Sequence, residues 1–392
     1  MSALRRLVRP LLAPWRWLPL MDRWLLGELI GPLLFGIGAF TAVSLSVGAV
    51  FDLVRRIAET GLPVSIALQV LALELPSFLV LSFPMATLMA CLLTYSKLSG
   101  NSELTALRSV GVSAWRMVAP ALALALVMTL LTFTFNEAVV PHTLRQAEAT
   151  RDRAVGKAVL GEDRERVSYS RYGNVTQPDG SRNRTLTHFF YAQRMNQGVM
   201  EQVTVLDLSQ PGQRLMLTAE EGRWNEQEAM WEFRDGRLYV VSEPGGENIT
   251  SATFDRYLYP LGNQPLKVAK LPTDAEQLTI GQARTAERLL RESGDPQAAR
   301  KLRVRIQEKF SFPAVCLVFG LLGSCLGVRP NARRSRSQGF GLSVLLIFAY
   351  YVVAFSFSAM GVNGALTPQL SAWLPVAIFL LIGAGLLRQA SR

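Results

Sequence analysis

The segment at residues 95–113 reads YSKLSGNSELTALRSVGVS and lies between two long apolar runs. It is short, amphipathic and mostly polar, whereas the runs on either side carry no charged side chain. Polar groups of this kind lose their hydrogen bonds to water inside a bilayer, so we expect the segment at a membrane surface. The alternation predicts a membrane protein with a surface element between two of its spans.

A short helix is predicted inside this segment. Asn101 or Ser102 caps its start, Glu103 lies in its first turn, and Gly111 ends it. Two leucines then share one face of the helix, Leu104 and Leu107. A surface helix of this size is either a contact element that presses into a groove of a partner protein or a simple surface loop.

Six apolar runs are long enough to cross a bilayer. The last charge-free stretch, 337–387, is divided into two spans by the residues at 361–364 and by Pro368. The other four spans are predicted at residues 30–50, 75–96, 117–135 and 310–328. An even number of spans places both termini on the same side of the membrane.

The net charge of +11 follows the membrane topology. Much of the arginine lies directly beside the spans, so a nucleic-acid partner is not expected. The N-terminal tail, the loop after residue 328 and the end at 388–392 are basic with almost no acidic residues. These parts and the 95–113 segment are therefore predicted to be cytoplasmic. We expect a bacterial inner-membrane protein with both termini in the cytoplasm.

A soluble insert is predicted between the third and fourth spans. From residue 136 to about 308 no stretch is apolar enough to span a bilayer, and alternating strands appear. The predicted strands are 166–170, 188–192, 203–208, 231–233 and 238–241, with turn signals at 178–180 and 234–237. Helical patterns at 138–160 and 280–309 bracket the strands. We expect an all-β domain of sandwich or jelly-roll type on the periplasmic side.

Sequence motifs for enzyme chemistry are absent. The chain has no phosphate-binding GxxxxGK[ST], no HExxH and no GxSxG, so it is not expected to hydrolyse ATP itself. Its three cysteines lie inside apolar runs and its two histidines lack metal-site spacing. A non-catalytic protein without a bound metal or other cofactor is predicted.

Two further features leave alternatives open. Arg55 and Arg56 are cations at the predicted outer surface, against the charge bias of membrane proteins. They either anchor the helix at the interface or pair with the phosphates of an anionic lipid, for which guanidinium geometry is suited. The apolar face of the β insert either fills its own core or holds acyl chains.

In their order along the chain, these parts resemble the lipopolysaccharide-export permease family LptF/LptG (YjgP/YjgQ), which are membrane subunits of ABC transporters. The resemblance covers nearly the whole chain from Met21. It is carried by MDRW at 21–24, FPMA at 83–86, SELTALRSVGVS at 102–113, Trp224, WEFRDG at 231–236 with Tyr239, and KFSFP at 309–313. Each piece is weak alone, whereas the set in this order is specific.

The resemblance implies a complex of two permeases. Each has three spans, a periplasmic β-jelly-roll and three more spans, and the pair takes lipopolysaccharide from the outer leaflet of the inner membrane. A separate cytoplasmic ATPase dimer uses ATP to drive extrusion, and a periplasmic bridge of similar folds receives the lipid. This chain is then a non-catalytic transport subunit in the membrane.

The resemblance also implies the site residues. The family's coupling-helix glutamate corresponds to Glu103. The residues expected to couple to the ATPase are Ser102, Glu103, Leu104, Leu107, Arg108 and Gly111. The residues expected to contact lipid phosphates are Arg55 and Arg56. Asp52 stands where a lysine can occur in the family.

The predicted domain plan has four parts. They are a basic extension at 1–20, spans one to three at 21–135 with the coupling helix at 100–113, the β-jelly-roll with its flanking helices at 136–308, and spans four to six at 309–392. Two other functions stay open: a mechanotransmitting ABC permease, a class that generally has four spans, and a membrane-anchored periplasmic scaffold. Neither moves lipid. Also open are whether the second permease is an identical copy or a paralogue, and whether translation starts at Met1 or Met21.

Overall fold

The structure, a computed structural model, describes residues 19–51, 55, 57, 63–154, 164–176, 182–196, 198–210, 213–242, 248–261, 275–292, 295–328 and 336–391. The predicted basic extension, Arg56 and the turn signal at 178–180 lie outside these residues, apart from the last two residues of the extension. The chain divides into a helical unit, with residues up to Ala147 and from Val304 onward, and a β unit at Glu148–Arg303.

Nine α-helices are formed by the described residues. They are α1 (Leu20–Leu45), α2 (Val64–Gly100), α3 (Glu103–Ser109), α4 (Ala114–Thr134), α5 (Val140–Ala154), α6 (Ile280–Glu292), α7 (Pro296–Val328), α8 (Arg336–Asn363) and α9 (Pro368–Ser391). A π-helical turn at Ser46–Val50 continues α1, and a second at Phe135–Val139 joins α4 to α5. A 3₁₀ turn at Ala275–Gln277 precedes α6.

Six helical segments in the described part of the chain are long and apolar enough to cross a membrane, with mean hydropathies of 2.0 to 2.2. They are Leu20–Val50, Val64–Gly100, Ala114–Arg151, Pro296–Val328, Gly339–Asn363 and Pro368–Gln389. The six predicted spans are thus confirmed as helices. Each of the first four of these spanning segments extends beyond its apolar run, because helical hydrogen bonding continues where the chain becomes polar.

Helix α7 is the central helix of the helical unit. In its most apolar stretch 78% of the residues are buried, against 17–33% in the other five spans. Three glycines let α7 approach its neighbours closely. An added Cβ would lie 2.5 Å from Ala125 at Gly320, 2.8 Å from the Leu88 carbonyl at Gly323, and 2.5 Å from the Tyr95 Cβ at Gly327. Small residues at these positions therefore set the spacing of α7 against α2 and α4.

The helical pattern predicted at 280–309 is two helices, α6 and α7, not one. The backbone N–H of Asp295 donates to the carbonyl of Leu290 at 3.1 Å, and the Asp295 side chain accepts from the N–H of Ala298 at 2.9 Å. Asp295 thus caps α7, and Pro296, which lacks a backbone N–H, occupies the first helical position. The Asp-Pro pair favours a new helix start over continuation of α6.

The β unit contains a six-stranded antiparallel sheet whose strands are neighbours in chain order. The strands are β1 (Arg164–Thr176), β2 (Arg182–Asn196), β3 (Val199–Asp207), β4 (Gln213–Asn225), β5 (Met230–Ser242) and β6 (Asn248–Tyr259). An inserted all-β domain is confirmed. Among the described residues its connections are those of a meander and differ from the crossing connections of a jelly roll, because each strand pairs with the next one along the chain.

The sheet curls on itself, so that its two halves face each other as in a sandwich. The ring of Phe190 on β2 lies 5.1 Å from that of Trp231 on β5 and 6.1 Å from that of Phe233, although β2 and β5 are not neighbours in the sheet. All three side chains are fully buried. At the same core, the hydroxyl of Tyr259 on β6 donates to Asp207 on β3 at 2.6 Å. The apolar inner face is therefore enclosed by the curled sheet.

A crease of polar residues crosses the sheet and reverses the pleat of its strands. Between each two neighbouring strands, one pair of opposed residues along this line is not paired in the ladder. These residues form one continuous row across the sheet: Arg166, Gln193, Gln202, Glu220, Asp235 and Asp255. Gln202 and Asp235 have left-handed backbone angles, with φ of 48° and 49°. On β5 the inward side chains change there from Trp231 and Phe233 to Leu238. Such local kinks bend strands, and aligned kinks bend the sheet.

The crease explains why one predicted turn is wrong. Residues 234–237 were expected to separate two strands, yet they lie inside the continuous strand β5. The left-handed Asp235 reverses the pleat without reversing the chain direction. Strands β4 and β6 were not predicted from the sequence.

Candidate functional site

Helix α3 begins without the predicted side-chain cap. Ser102 takes a left-handed conformation, with φ of 62°, and its side chain makes no capping hydrogen bond. The Asn101 Nδ2 group instead donates to Glu103 Oε1 at 2.9 Å. The prediction that Asn101 or Ser102 caps the helix is therefore wrong, because Ser102 is left-handed, whereas a capping residue normally has an extended backbone. Glu103 is held at the start of the helix by its neighbour.

Helix α3 ends as predicted at Gly111, whose φ is 92°. The N–H of Val112 donates to the carbonyl of Leu107 at 3.1 Å, and the N–H of Gly111 to that of Arg108 at 2.9 Å. This pair of bonds is a Schellman motif, which requires a left-handed residue that glycine supplies without a Cβ clash. The side chain of Ser113 then caps α4 by accepting from the N–H of Arg116.

One face of α3 is anchored in the helical unit. Leu104 is only 2% exposed and Leu107 packs beside it, as their predicted common face requires. They belong to one apolar cluster with residues from five spanning helices. These are Leu25 and Leu29 of α1, Tyr95 and Leu98 of α2, Met117 and Val118 of α4, Cys325 and Val328 of α7, and Leu387 of α9. Helix α3 is therefore packed against five of the six spans.

The opposite face of α3 and the start of α4 are open. Val110 is 83% exposed and Trp115 is 53% exposed, and both are large apolar side chains. Glu103 and Arg108 are half-buried at the border between the two faces. An exposed apolar patch rimmed by charged side chains is typical of a protein interaction site.

Two ion pairs bracket α3, and both involve α1. Lys97, in the last turn of α2, lies 2.6 Å from Glu28. Arg116, in the first turn of α4, makes two contacts with Asp22, from Nη1 to Oδ1 at 2.8 Å and from Nη2 to Oδ2 at 2.9 Å. Sequence reasoning did not identify these pairs as part of the site. The available signal was the presence of two acidic residues at the start of the first span, opposite basic residues on both sides of the helix.

Arg55 lies beyond the other end of the first span and is not brought near α3. It is helical and exposed, whereas Arg56 lies outside the described residues. The segment Leu20–Val50 has 31 residues, which correspond to about 46 Å of helix at 1.5 Å per residue. Arg55 therefore lies beyond one end of α1, whereas α3 packs against the start of that helix.

Two charged residues of α7 lie between helices at a distance from the α3 end, and sequence reasoning missed them. Glu308 accepts a hydrogen bond from Ser358 of α8 at 2.5 Å and pairs with Arg305 at 2.8 Å. Lys309 is buried, and its Nζ lies 3.5 Å from the carbonyl of Asn136 in the second π-helical turn. These contacts join α7 to the third and fifth spans.

A polar cluster lies at the core of the β unit. Asp207 accepts from the Tyr259 hydroxyl at 2.6 Å and from the N–H of Ser209 at 2.8 Å, and His188 Nε2 lies 3.6 Å from it. Burial lowers the pKa of His188, against the opposing effect of the Asp207 carboxylate. Burial alone would raise the pKa of Asp207, but the hydrogen bonds from Ser209 and Tyr259 outweigh it and the pKa is lowered. The cluster holds β3 against β6.

Metal-ligand geometry does not occur in the described part of the chain. No group of three or more His, Cys, Asp or Glu side chains there is arranged to hold a metal ion. The thiols of Cys91, Cys316 and Cys325 are buried.

Comparison with curated proteins gives no match. Comparison with protein families gives a match to the family described as the lipopolysaccharide export system permease LptF/LptG, over residues 23–389. The match includes α3, the six spans and the β unit, and their order along the chain, with a β domain inserted between the third and fourth spans, is the one that the resemblance implied. The chain belongs to the LptF/LptG family of lipopolysaccharide-export permeases.

Proposed function

We propose that this chain is a permease subunit that extracts lipopolysaccharide, or a similar anionic glycolipid, from the inner membrane and passes it to a periplasmic bridge toward the outer membrane. Family membership supports a lipopolysaccharide-export role in general for this multi-pass inner-membrane protein. In the proposal its partners are a second permease, a cytoplasmic ABC ATPase dimer that uses the ATP, and the bridge protein. The chain itself binds no cofactor.

The observation that carries the proposal is the two-sided character of α3. Leu104 is buried among residues of five spans, while Val110 and Trp115 on the other side are exposed. A helix with this arrangement transmits force from a bound partner to the bundle. Ser102, Glu103, Leu107, Arg108 and Gly111 complete the proposed ATPase-coupling element.

The proposed orientation places α3 and both termini in the cytoplasm and the β unit in the periplasm. Its support is the excess of basic residues beside the spans at the α3 end of the helical unit, such as Lys97, Arg108 and Arg116. At the other end of α1, Arg55 and Arg56 are proposed to contact lipid phosphates. Guanidinium groups bind phosphate oxygens through paired hydrogen bonds.

Energy considerations support an ATP-driven partner. Moving acyl chains out of a bilayer costs about 0.8 kcal/mol for each CH₂ group that water contacts. The chain needs an external energy source and an apolar path for the lipid. The inner face of the curled sheet is apolar, but Phe190, Trp231 and Phe233 fill it in this structure. An acyl chain enters that face only if these side chains move.

The test is the variant Glu103→Ala in the complex with the ATPase and the second permease, reconstituted in proteoliposomes with lipopolysaccharide. We expect lipid-stimulated ATP turnover to fall about tenfold, because a hydrogen bond to a charged group contributes about 1.5–3 kcal/mol. The control is Glu226→Ala, which changes an exposed glutamate in the turn after β4. If Glu103→Ala changes neither complex assembly nor ATP turnover, the coupling role is wrong.

The two other functions that the sequence left open gain less support. A mechanotransmitting permease generally has four spans, whereas six helices here are long and apolar enough to cross a membrane. A membrane-anchored scaffold has no need for an apolar cluster that links five spans to one surface helix. Both would leave lipid transfer to the bridge unaffected by the loss of this chain.

A further inference from the structure

Helix α1 is joined to both flanks of α3, and this arrangement goes beyond the coupling residues of α3 itself. Lys97 is six residues before the first residue of α3, and Arg116 is seven residues after its last. Their ion-pair partners, Glu28 and Asp22, both belong to α1. Any displacement of α3 with its two flanks is therefore applied to one helix at two points.

The two acidic residues hold different parts of the start of α1. Asp22 is 8% exposed and lies on the buried stripe of α1, with Leu25, Leu29 and Leu33. Glu28 lies outside this stripe, and its backbone carbonyl accepts from Thr94 of α2 at 3.2 Å. Two contacts about 9 Å apart along the helix axis, at 1.5 Å per residue, resist both sliding and rotation of α1.

The two ion pairs fix the position of α1 against the flanks of α3 in a way that the apolar contacts do not. Leu104 also packs in the cluster with Leu25 and Leu29, but apolar burial is non-directional and permits sliding. The Arg116–Asp22 pair combines an ion-pair contact at 2.8 Å with a hydrogen bond from Nη2 to Oδ2 at 2.9 Å, and a charge-assisted hydrogen bond of this kind has a defined geometry. The Lys97–Glu28 pair is more than a third exposed on the lysine side, and exposed ion pairs contribute little to stability. Its loss is therefore expected to affect transmission more than folding.

The rest of α1 carries the displacement away from the α3 end. The helical segment continues from Leu20 to Val50 without interruption, including its π-helical turn, and Arg55 follows. Gly36 lies against Ala86 and Met89 of α2, so the middle of α1 is packed closely on its neighbour. A push at Asp22 and Glu28 thus reaches the Arg55 end.

We propose that Asp22 and Glu28 are positioning residues that transmit the movement of α3 along α1 to the Arg55 end of the helix. This inference rests on the proposed function, because it needs a partner ATPase that moves α3. Asp22 and Glu28 contact neither ATP nor lipid in this scheme. They act through Arg116 and Lys97.

The experiment places an environment-sensitive fluorophore on Val47→Cys, a position that is 68% exposed near the far end of α1. The native cysteines are buried and are shielded from the reagent. The assembled complex in lipid is measured with and without ATP, for the otherwise unchanged chain and for the combined variant Asp22→Asn with Glu28→Gln. We expect the nucleotide-dependent signal to fall at least twofold in the variant, while the amount of assembled complex and the ATP turnover without lipopolysaccharide stay within twofold.

A charge exchange provides the rescue. Glu28→Lys combined with Lys97→Glu restores the attraction with reversed polarity, so we expect it to recover the signal that Glu28→Lys alone loses. The control is Glu226→Gln, far along the chain in the β unit. An undiminished signal in the combined variant, or no recovery in the exchanged pair, overturns this inference alone. If the otherwise unchanged complex gives no nucleotide-dependent signal, the proposed function and the inference fall together.

Discussion

At the scale of single residues, α3 depends on a few side chains with opposite environments. Leu104 is 2% exposed and Val110 is 83% exposed, although both are aliphatic and lie six positions apart. Truncation of a buried leucine typically costs about 2–5 kcal/mol, whereas an exposed valine contributes little to the fold. The burial of Leu104 stabilises the fold, whereas the exposed Val110 side chain adds no such stability to an isolated chain. The difference supports a partner on the Val110 side.

His188 gives the β unit a predicted acid sensitivity. Burial lowers its pKa from the ordinary value of 6.5, so the unfolded state binds a proton more readily than the folded state. Stability is then lost as the pH falls below about 6.5 toward the lowered folded pKa. The lowered pKa of Asp207 has the same sign, because the folded state favours the carboxylate, and its contribution is lost below 3.8. Both groups make the β unit less stable in acid.

The measurement is hydrogen exchange of β2 and β3 peptides in the full chain at pH 7.5 and 5.5, corrected for intrinsic exchange rates. We expect faster exchange at pH 5.5 in the natural sequence and a much smaller difference in His188→Gln. The other histidine of the chain, His142, is exposed on α5, and His142→Gln is the matched control. The explanation fails if His188→Gln keeps the full pH difference.

At the scale of elements, the close approach of α7 to α2 depends on residues without side chains. At Gly327 an added Cβ would lie 2.5 Å from the Tyr95 Cβ and 3.2 Å from the Leu92 carbonyl, so α7 and α2 must separate to admit it. Overpacking of this kind costs about 1–3 kcal/mol. Gly385 on α9 has nothing within 4 Å of its added Cβ. The two glycines therefore form a matched pair in different surroundings.

We predict that Gly327→Ala lowers the thermal unfolding midpoint in detergent and that Gly385→Ala leaves it unchanged or slightly raised, since alanine favours helix. Unfolding followed by the reactivity of the buried cysteines reports on the same helices, because Cys91 lies on α2 and Cys325 on α7. Equal midpoints for the two variants would contradict the role of Gly327 in helix spacing.

At the scale of the whole molecule, the proposed topology predicts which surfaces face which compartment. Val110→Cys, directly after the last residue of α3, is expected to react with a membrane-impermeant maleimide only after the inner membrane is opened. Glu226→Cys in the β unit is expected to react in spheroplasts whose inner membrane is intact. Both positions are exposed, so a difference in reactivity reports on the compartment. Reaction of Val110→Cys in intact spheroplasts would contradict the proposed orientation.

Local chemistry accounts for the parts that the sequence predicted correctly. Six apolar runs predict six spans because a bilayer selects length and apolarity residue by residue. Gly111 ends α3 because glycine, which has no Cβ, adopts the φ of 92° at this position without strain. The failed Ser102 cap and the wrong turn at 234–237 have the opposite cause, since a left-handed residue 102 and a crease across six strands alter the local patterns that the predictions use.

By itself, the sequence determined that this protein is a helical membrane protein with an inserted β domain and a polar surface helix near residue 103. The tertiary structure alone decided which distant residues meet. Asp22 meets Arg116, and Glu28 meets Lys97, across 94 and 69 positions of the chain. Asp207 meets Tyr259 across 52 positions because the sheet curls. Whether a segment spans the membrane depends on its own side chains and the solvent around them. The pairs depend on how distant segments pack against each other, and a local sequence pattern does not contain that geometry.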